Sequence, residues 1–527
     1  MCNKIDEKLL IMYKYLQEHA FSREEVSKVL NITTRQLSRL MKQWESENLL
    51  EYQVGIGRGV FSEVTFNKDI EQLYVSYQIQ QIGTLSFEEI EHILDLPLYN
   101  SSKALIESIY QQRLVAKNDN NQTDEDEATF IDFVYRIPEV LDPLLHSDVS
   151  QDVLLFNIMD RLYEVDNKLI FLSSLVSHEE VDDYGLTIYL HHDIKFSNGQ
   201  ILFAQNAVDC LNRLMKHPDH QYKFAMVKSI EVLNLFCFKI YYEGSIDYLK
   251  LMLSSAYASI YIQDDNKFLG TGAYKVYSTT ENYITIKART DSHHQTPDVG
   301  TVYLINNYEQ YTRSFKYQQT EELSKGVVIQ NGFMCFNPLF TKLDKKKRQL
   351  LIELVTIFYK SFNNNQNVEL KPTEIFDNEF VIGTFSEKNI GQKKLYESLK
   401  KAGFNVKYKV VSFNDLIDGN IDGLQCDIFF LGHTYVEDLF YYTLMNNTNL
   451  RFWFLHFDVI KSLLDRFRVA TINDWKEIEY RLKLFMEDEF WLHSLVLSFR
   501  KHIVPVNFKN VNLNNDGLIV YKHIVVV

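Results

Sequence analysis

Eleven residues, Asn118 to Ala128, divide this chain. Their sequence, NDNNQTDEDEA, holds five acidic side chains and no large apolar one. Such a run has nothing to bury and reads as a solvated linker between separately packed parts. A length of 527 residues already exceeds one ordinary domain. With 46% hydrophobic and 24% charged residues, both parts have the composition of globular structure rather than disorder. Lys and Arg number 55 against 70 Asp and Glu, a net charge of −15, which excludes a histone-like coating protein. The excess acid is segregated. Residues 1–66 carry nine basic and nine acidic side chains, so the whole imbalance lies beyond them.

Those first residues read as three helices and a hairpin. Ile5, Leu9, Met12 or Tyr13, and Leu16 share one helical face. Ser22 and Glu25 have the spacing of a capping box before a second helix, whose buried stripe is Val26, Val29 and Leu30. Asn31-Ile32 makes a turn. Thr33 and Gln36 repeat the capping pattern before a third helix with Leu37, Leu40, Met41 and Trp44 facing inward. Its other face presents Arg35, Arg39, Lys42 and Gln43. Leu50–Val54 and Val60–Phe66 read as strands around Gly55-Ile-Gly57-Arg58-Gly59, a glycine turn with a cation at its tip. This is the winged helix-turn-helix arrangement, in which the third helix enters a major groove and the wing reaches the backbone. Arg and Gln are suited to guanine, phosphate and adenine. The candidate DNA-binding residues are Arg35, Gln36, Arg39, Lys42, Gln43 and Arg58. A protein-interaction module with solvated cations is the competing interpretation.

The pattern repeats. Residues 86–96, SFEEIEHILDL, match residues 22–32, SREEVSKVLNI, at an offset of 64. With one extra turn residue, Leu105, Ile106 and Ile109 fall on Leu40, Met41 and Trp44. At that register Arg35, Arg39 and Lys42 become Asn100, Ala104 and Glu107. The apolar scaffold is kept and the basic face is lost, so the second unit is expected to pack or space rather than read DNA. The DNA-binding region is therefore 1–117, with the winged unit at 1–66 and the second unit at 67–117, followed by the linker at 118–128.

Beyond the linker, strand-like and helix-like runs alternate. Phe380–Thr384 (strand), Lys393–Ala402 (helix), Phe404–Val411 (strand) and Asp427–Leu431 (strand) predict βαβ units and a parallel sheet. Enzyme motifs are missing: no GxSxG, Walker or GxGxxG pattern follows a strand in the required context, so no enzyme and no cofactor are expected. His191-His192 and His293-His294 are adjacent pairs. Neighbours on a strand point to opposite faces, so no metal site is expected at either. Gly270-Thr-Gly272 is too short to cradle a phosphate and reads as structural. The five cysteines are scattered without a CxxC pair and read as buried reduced thiols.

The segments in this region resemble the peptide-type extracytoplasmic solute-binding proteins, solute-binding protein family 5. DPLLHSDVSQDVLLFNIMDRLYEVD from Asp142 resembles their opening. Tyr184–Gly199 resembles their first hairpin, and Phe203–Leu214 the helix after it. Gly270–Lys275 (GTGAYK) and Gly332–Pro338 (GFMCFNP) are similar to later turn and strand motifs. The combination with a winged helix-turn-helix resembles the SgrR family of bacterial transcriptional regulators, over nearly the whole chain. The loop Arg289–Gly300 and the tail at Leu518-Ile519-Val520 depart from the family pattern. The resemblance implies a multidomain α/β protein: an N-terminal all-α winged helix-turn-helix region, then a two-lobed type II periplasmic-binding-protein-like α/β domain at 129–527. The expected first lobe is about 129–305 plus 485–527, and the second about 310–480. In Asp427–Asp438, DIFFLGHTYVED, the resemblance places His433, Glu437 and Asp438 near a cleft, as ligand-binding candidates; capping of the following helix is the competing role for the two carboxylates. The opening MCNKIDEKLLIMYKYL has charges where a secretory signal needs an apolar run, so a cytoplasmic location with no membrane contact is expected. The implied function is a regulator that binds promoter DNA and senses a small metabolite: a sugar phosphate, a sugar or a peptide. The alternative is the binding component of a peptide or oligosaccharide transporter with an added interaction module.

Overall fold

The structure is a computed structural model. It describes residues 4–53, 62–85, 87–119, 128–145, 148–165, 169–265, 267–315, 320–323, 331–364, 366, 369–385, 389–412, 415–416, 420, 423–433, 439–447, 450–495, 502–514 and 518–527.

Asp6 accepts from the Lys8 amide and starts helix α1 (Glu7–Glu18). Helix α2 (Arg23–Val29) follows, and helix α3 (Thr34–Ser46) opens on the expected reciprocal cap. The Gln36 amide donates to the Thr33 hydroxyl, and the Thr33 amide donates to Gln36 Oε1. Ser22 departs from expectation, since its side chain makes no cap bond. Glu25 instead accepts from the Tyr15 hydroxyl at 3.4 Å. Asn31 takes a left-handed φ of 51° at the α2–α3 turn, a conformation that Asn tolerates. Leu9, Leu10, Met12, Val26, Leu30, Leu37, Met41 and Trp44 form the core, while Val29, expected inside, is 44% exposed. Strands β1 (Leu50–Gln53) and β2 (Glu63–Phe66) pair antiparallel from Leu50↔Phe66 to Gln53↔Glu63. The wing tip, with Arg58, lies outside the described residues.

The repeated unit follows as α4 (Ile70–Gln81), α5 (Phe87–Asp95) and α6 (Asn100–Asp119). Ile106 is buried like Met41, but Leu105 is 48% exposed and Tyr110 takes the inward position instead. The two repeats are bolted together by polar groups. Lys14 of α1 pairs with the buried Glu71 of α4 and lies over the Tyr99 ring, and Glu71 also accepts from the Tyr99 amide at 2.8 Å. Burial opposes ionisation of Glu71, yet these bonds hold its carboxyl below the usual range.

The chain divides into two compact units, Met1–Asp126 with Thr312–Gln319, and Glu127–Tyr311 with Thr320–Val527. The larger unit contains two four-stranded sheets and one of five strands. In the first, Ala128–Phe133 is an edge strand parallel to Val299–Ile305, which pairs on its other side with Tyr283–Ala288, and Tyr274–Thr279 follows. The second is an antiparallel layer of Val176–Asp182, Gly185–Leu190, Cys237–Tyr242 and Val227–Asn234. The five-stranded sheet has Phe380–Thr384 parallel to both Val406–Val410 and Ile428–His433, as the βαβ pattern requires, with Ile390–Lys401 as the crossover helix. Asn331–Phe336 and Leu492–Leu495 extend it antiparallel.

Two expected boundaries move. Leu492–Leu495 belongs to the five-stranded sheet, so the chain leaves that lobe later than about 485. Residues 312–319, expected within the effector domain, group with the N-terminal unit. There Arg313 reaches Glu107 at 2.9 Å and Glu91 at 3.4 Å. The next strand, Thr320–Leu323, pairs with His502–Pro505. The tail then docks on the first sheet: the buried Tyr521 hydroxyl donates to Asp132 at 2.7 Å, and its amide donates to Asn157 Oδ1. Cys210, Cys237, Cys335 and Cys426 are buried free thiols.

Candidate functional sites: a basic helix face and a cationic cavity

Helix periodicity sets the first site. Leu37, Met41 and Trp44 bury one side of α3, which leaves Arg35, Arg39 and Lys42 exposed at spacing i, i+4, i+7 on the opposite side. All three side chains point away from the core. Gln36 is exposed, but its amide oxygen is committed to the cap, so it cannot offer the donor–acceptor pair that adenine needs. Gln43 donates to Glu47 at 2.9 Å. The three cations are therefore the coherent part of the set. On α6 the corresponding Glu107 is paired with Arg313, which removes it from any reading face.

The second site was not found by motif. Within the larger unit, a cavity of about 280 Å³ is lined by Tyr222, Tyr248, Tyr442, Arg451, Lys461 and Arg468, with Asp465 and two leucines. Helix Asp458–Val469 packs on Ile246–Leu253, held partly by Ser245, whose amide donates to the Arg468 carbonyl at 3.1 Å. Tyr442 stacks on Phe467 at 3.5 Å and is fixed in place. The Arg451 guanidinium lies 3.0 Å from the Tyr222 ring centroid, and its Nε and Nη1 are buried without a hydrogen-bond partner among the described residues. Arg468 is neutralised by Asp465 at 3.0 Å. Behind Tyr222, burial and the neighbouring Arg451 push the Lys223 ammonium down to about 7, against the pull of Asp219 and Asp152. The lining thus offers aromatic faces, hydroxyls and an excess of positive charge.

The expected ligand residues lie elsewhere. His433 ends strand Ile428–His433, opposite Asn331. Its side chain, with Glu437 and Asp438, lies outside the described residues. Asp427, at the start of that strand, is structural: it is buried and accepts from the Val381 amide at 2.8 Å. Gly270 and Gly272 are structural as well. A Cβ on either would sit 2.3–2.8 Å from backbone atoms of 157–159.

The adjacent His293 and His294 correct a sequence argument. They lie on an irregular loop, not a strand, so the alternation rule does not apply. Both rings approach Asp160: His294 Nε2 lies 2.9 Å and His293 Nε2 3.7 Å from its oxygens. Burial disfavours the Asp160 charge, but the His294 hydrogen bond and nearby positive charges outweigh it and hold the carboxyl well below the usual range. Burial pushes the His293 imidazole down to about 4.

These sites and folds define a class: a helix-turn-helix region joined to a solute-binding fold. Residues 7–119 match the SgrR N-terminal family, described as the N-terminus of a sugar transport-related sRNA regulator. The fold of the rest is that of solved binding proteins. AppA from Bacillus subtilis, in complex with a nonapeptide, is 14% identical with a TM-score of 0.61, covering 76% of this chain and 99% of that one. DppA from Helicobacter pylori, in complex with the peptide STSA, is 15% identical with a TM-score of 0.58, covering 76% and 98%. NikA from Staphylococcus aureus, in complex with Ni(L-His)2, is 13% identical with a TM-score of 0.58, covering 75% and 99%. No curated protein sequence matches the chain. The family match thus covers the N-terminal region that the motifs single out, and the likeness to solved binding proteins covers the fold of the rest. Among the described residues, no helix is long and apolar enough to cross a membrane.

Proposed function

We propose that this protein is a cytoplasmic transcriptional regulator that binds promoter DNA through α3 and its wing and senses a small molecule in its binding-protein unit, without catalysis. The observation that carries the DNA half is the exposed Arg35, Arg39 and Lys42 face on a helix whose other side is fully anchored. Arg58 on the wing supplies a backbone contact in this reading. The effector half rests on the solute-binding fold and the cavity. Three cationic side chains against one carboxylate favour a compact anionic effector, with the tyrosines packing its body. Coupling follows from the chain path. Residues 312–319 belong with the N-terminal unit while both flanks belong with the sensing unit, so a rearrangement of the sensing unit acts on the segment covalently.

Electrophoretic mobility shift on the native promoter tests the first half. Arg39→Ala should cost about 1–3 kcal/mol if it reads a base, and Arg58→Ala should weaken all sequences alike. Unchanged affinity in an Arg35, Arg39 and Lys42 triple alanine variant would refute it. For the effector, phosphorylated sugars should raise the thermal transition of the full chain where neutral sugars do not, and Arg451→Met should abolish the shift. Charge removal at Glu437 and Asp438 should leave or strengthen binding of an anion and weaken that of an amine.

A further inference from the structure

We infer that Asp160, His293 and His294 form a binding site for one divalent transition-metal ion, of the zinc, cobalt or nickel class. The candidate ligand atoms, a carboxylate oxygen and one nitrogen from each ring, all lie within 4.8 Å of one another. Metal–ligand bonds of about 2.0–2.1 Å in a tetrahedral site place ligand atoms about 3.3 Å apart, so only small side-chain movements are needed.

The site is built on anchored backbone. Asp160 follows helix Val149–Ile158, and its carbonyl accepts from the Ile260 amide at 2.8 Å. The loop that carries the two histidines starts at Arg289. That buried guanidinium donates to the carbonyls of Gly272, Lys195 and Phe196 and pairs with Asp291. The Thr271 hydroxyl donates to Asp160 Oδ2 at 2.8 Å, the outer-shell bond that orients a ligating carboxylate.

His293 is the observation that points to a ligand. Its side chain is 9% exposed, and both ring nitrogens are buried with no hydrogen-bond partner among the described residues. Leaving buried polar atoms unsatisfied is costly, and metal coordination would satisfy the nitrogen that faces Asp160. Two imidazoles with one carboxylate select a borderline transition metal over calcium or magnesium, which take oxygen shells. Among the positive neighbours, Lys522 and Arg161 share Glu164, and Arg289 pairs with Asp291. A bound ion would clasp the 291–297 loop to the end of the Val149–Ile158 helix.

Untagged full-length protein, stripped by chelator and dialysed, should take up one equivalent of Co2+ with the visible absorption of a low-coordinate nitrogen and oxygen site. Zinc should displace the cobalt and raise the thermal transition; calcium should do neither. His293→Ala removes no hydrogen bond, so it should fold like the metal-free wild type and lose at least about tenfold in cobalt affinity. Asp160→Asn, which also disturbs Thr271 and His294, serves as a second variant, with circular dichroism as its folding check. Absence of cobalt uptake by the wild type, or equal uptake by a folded His293→Ala protein, would overturn the site and leave Asp160 and His294 as a hydrogen-bonded pin.

Discussion

Lys223 is where the sensing unit should respond to pH. Its folded pKa, about 7, lies below the unfolded value of about 10.4 because burial and Arg451 disfavour the charge. Between those values the unfolded chain holds more protons, so stability rises as pH climbs from about 7 to about 10. Lys223→Met should flatten that slope in urea titrations; an unchanged slope would show that Lys223 is not the group responsible. An anion in the adjoining cavity would favour the ammonium form. Effector binding should therefore take up a proton near neutrality and weaken as pH rises through about 7–8, which calorimetry in buffers of different ionisation enthalpy can read. At this scale the sequence was legible only where spacing is local. Arg35, Arg39 and Lys42 were legible as one exposed face because a helix repeats every 3.6 residues. Tyr222, Tyr248, Tyr442 and Arg451 were not, because long-range packing brings them together. The approach of His293 and His294 to Asp160 is likewise set by a loop, where strand alternation does not hold.

At the scale of elements, the repeat shows how one scaffold takes two roles. α3 and α6 bury equivalent residues, Met41 and Ile106, yet one exposes cations and the other holds Glu107 against Arg313. The scaffold could be read from the apolar pattern. The pairing of Glu107 could not, since its partner lies about two hundred residues away. Glu107→Ala should leave the affinity of the effector-free protein for DNA nearly unchanged. If the 312–319 segment transmits the signal, the same variant should reduce the effector-induced change in DNA affinity by about fivefold, within the usual range of coupling energies. Arg313→Ala should do the same, and full coupling in both variants would remove the segment from the signal path. The glycine turn belongs to this scale too. Gly272→Ala puts a Cβ 2.5 Å from the Ile158 carbonyl carbon and should destabilise the larger unit by about 3 kcal/mol, measured by chemical unfolding.

At the scale of the whole molecule, the first segment of the smaller unit ends at Asp126, and the alternation of strands and helices gave the parallel heart of the five-stranded sheet. What the linear reading missed is that the chain returns to the first unit at 312–319, because a single short excursion leaves no periodic signature. Two units with separate cores should melt as two calorimetric transitions, and each ligand should act first on the transition of the unit that binds it. Promoter DNA should raise the transition of the N-terminal unit. A phosphorylated effector should raise that of the larger unit, by an amount that grows with the logarithm of its concentration. Linkage then makes a stricter demand. If the effector changes promoter affinity by some factor, saturating promoter DNA must change effector affinity by the same factor and in the same direction. The two measurements share no probe, since one titrates DNA and the other the small molecule. Equal factors would establish one regulator with coupled sites. An effector that binds tightly while promoter affinity stays fixed would leave a DNA-binding module and a binding protein joined only by the chain.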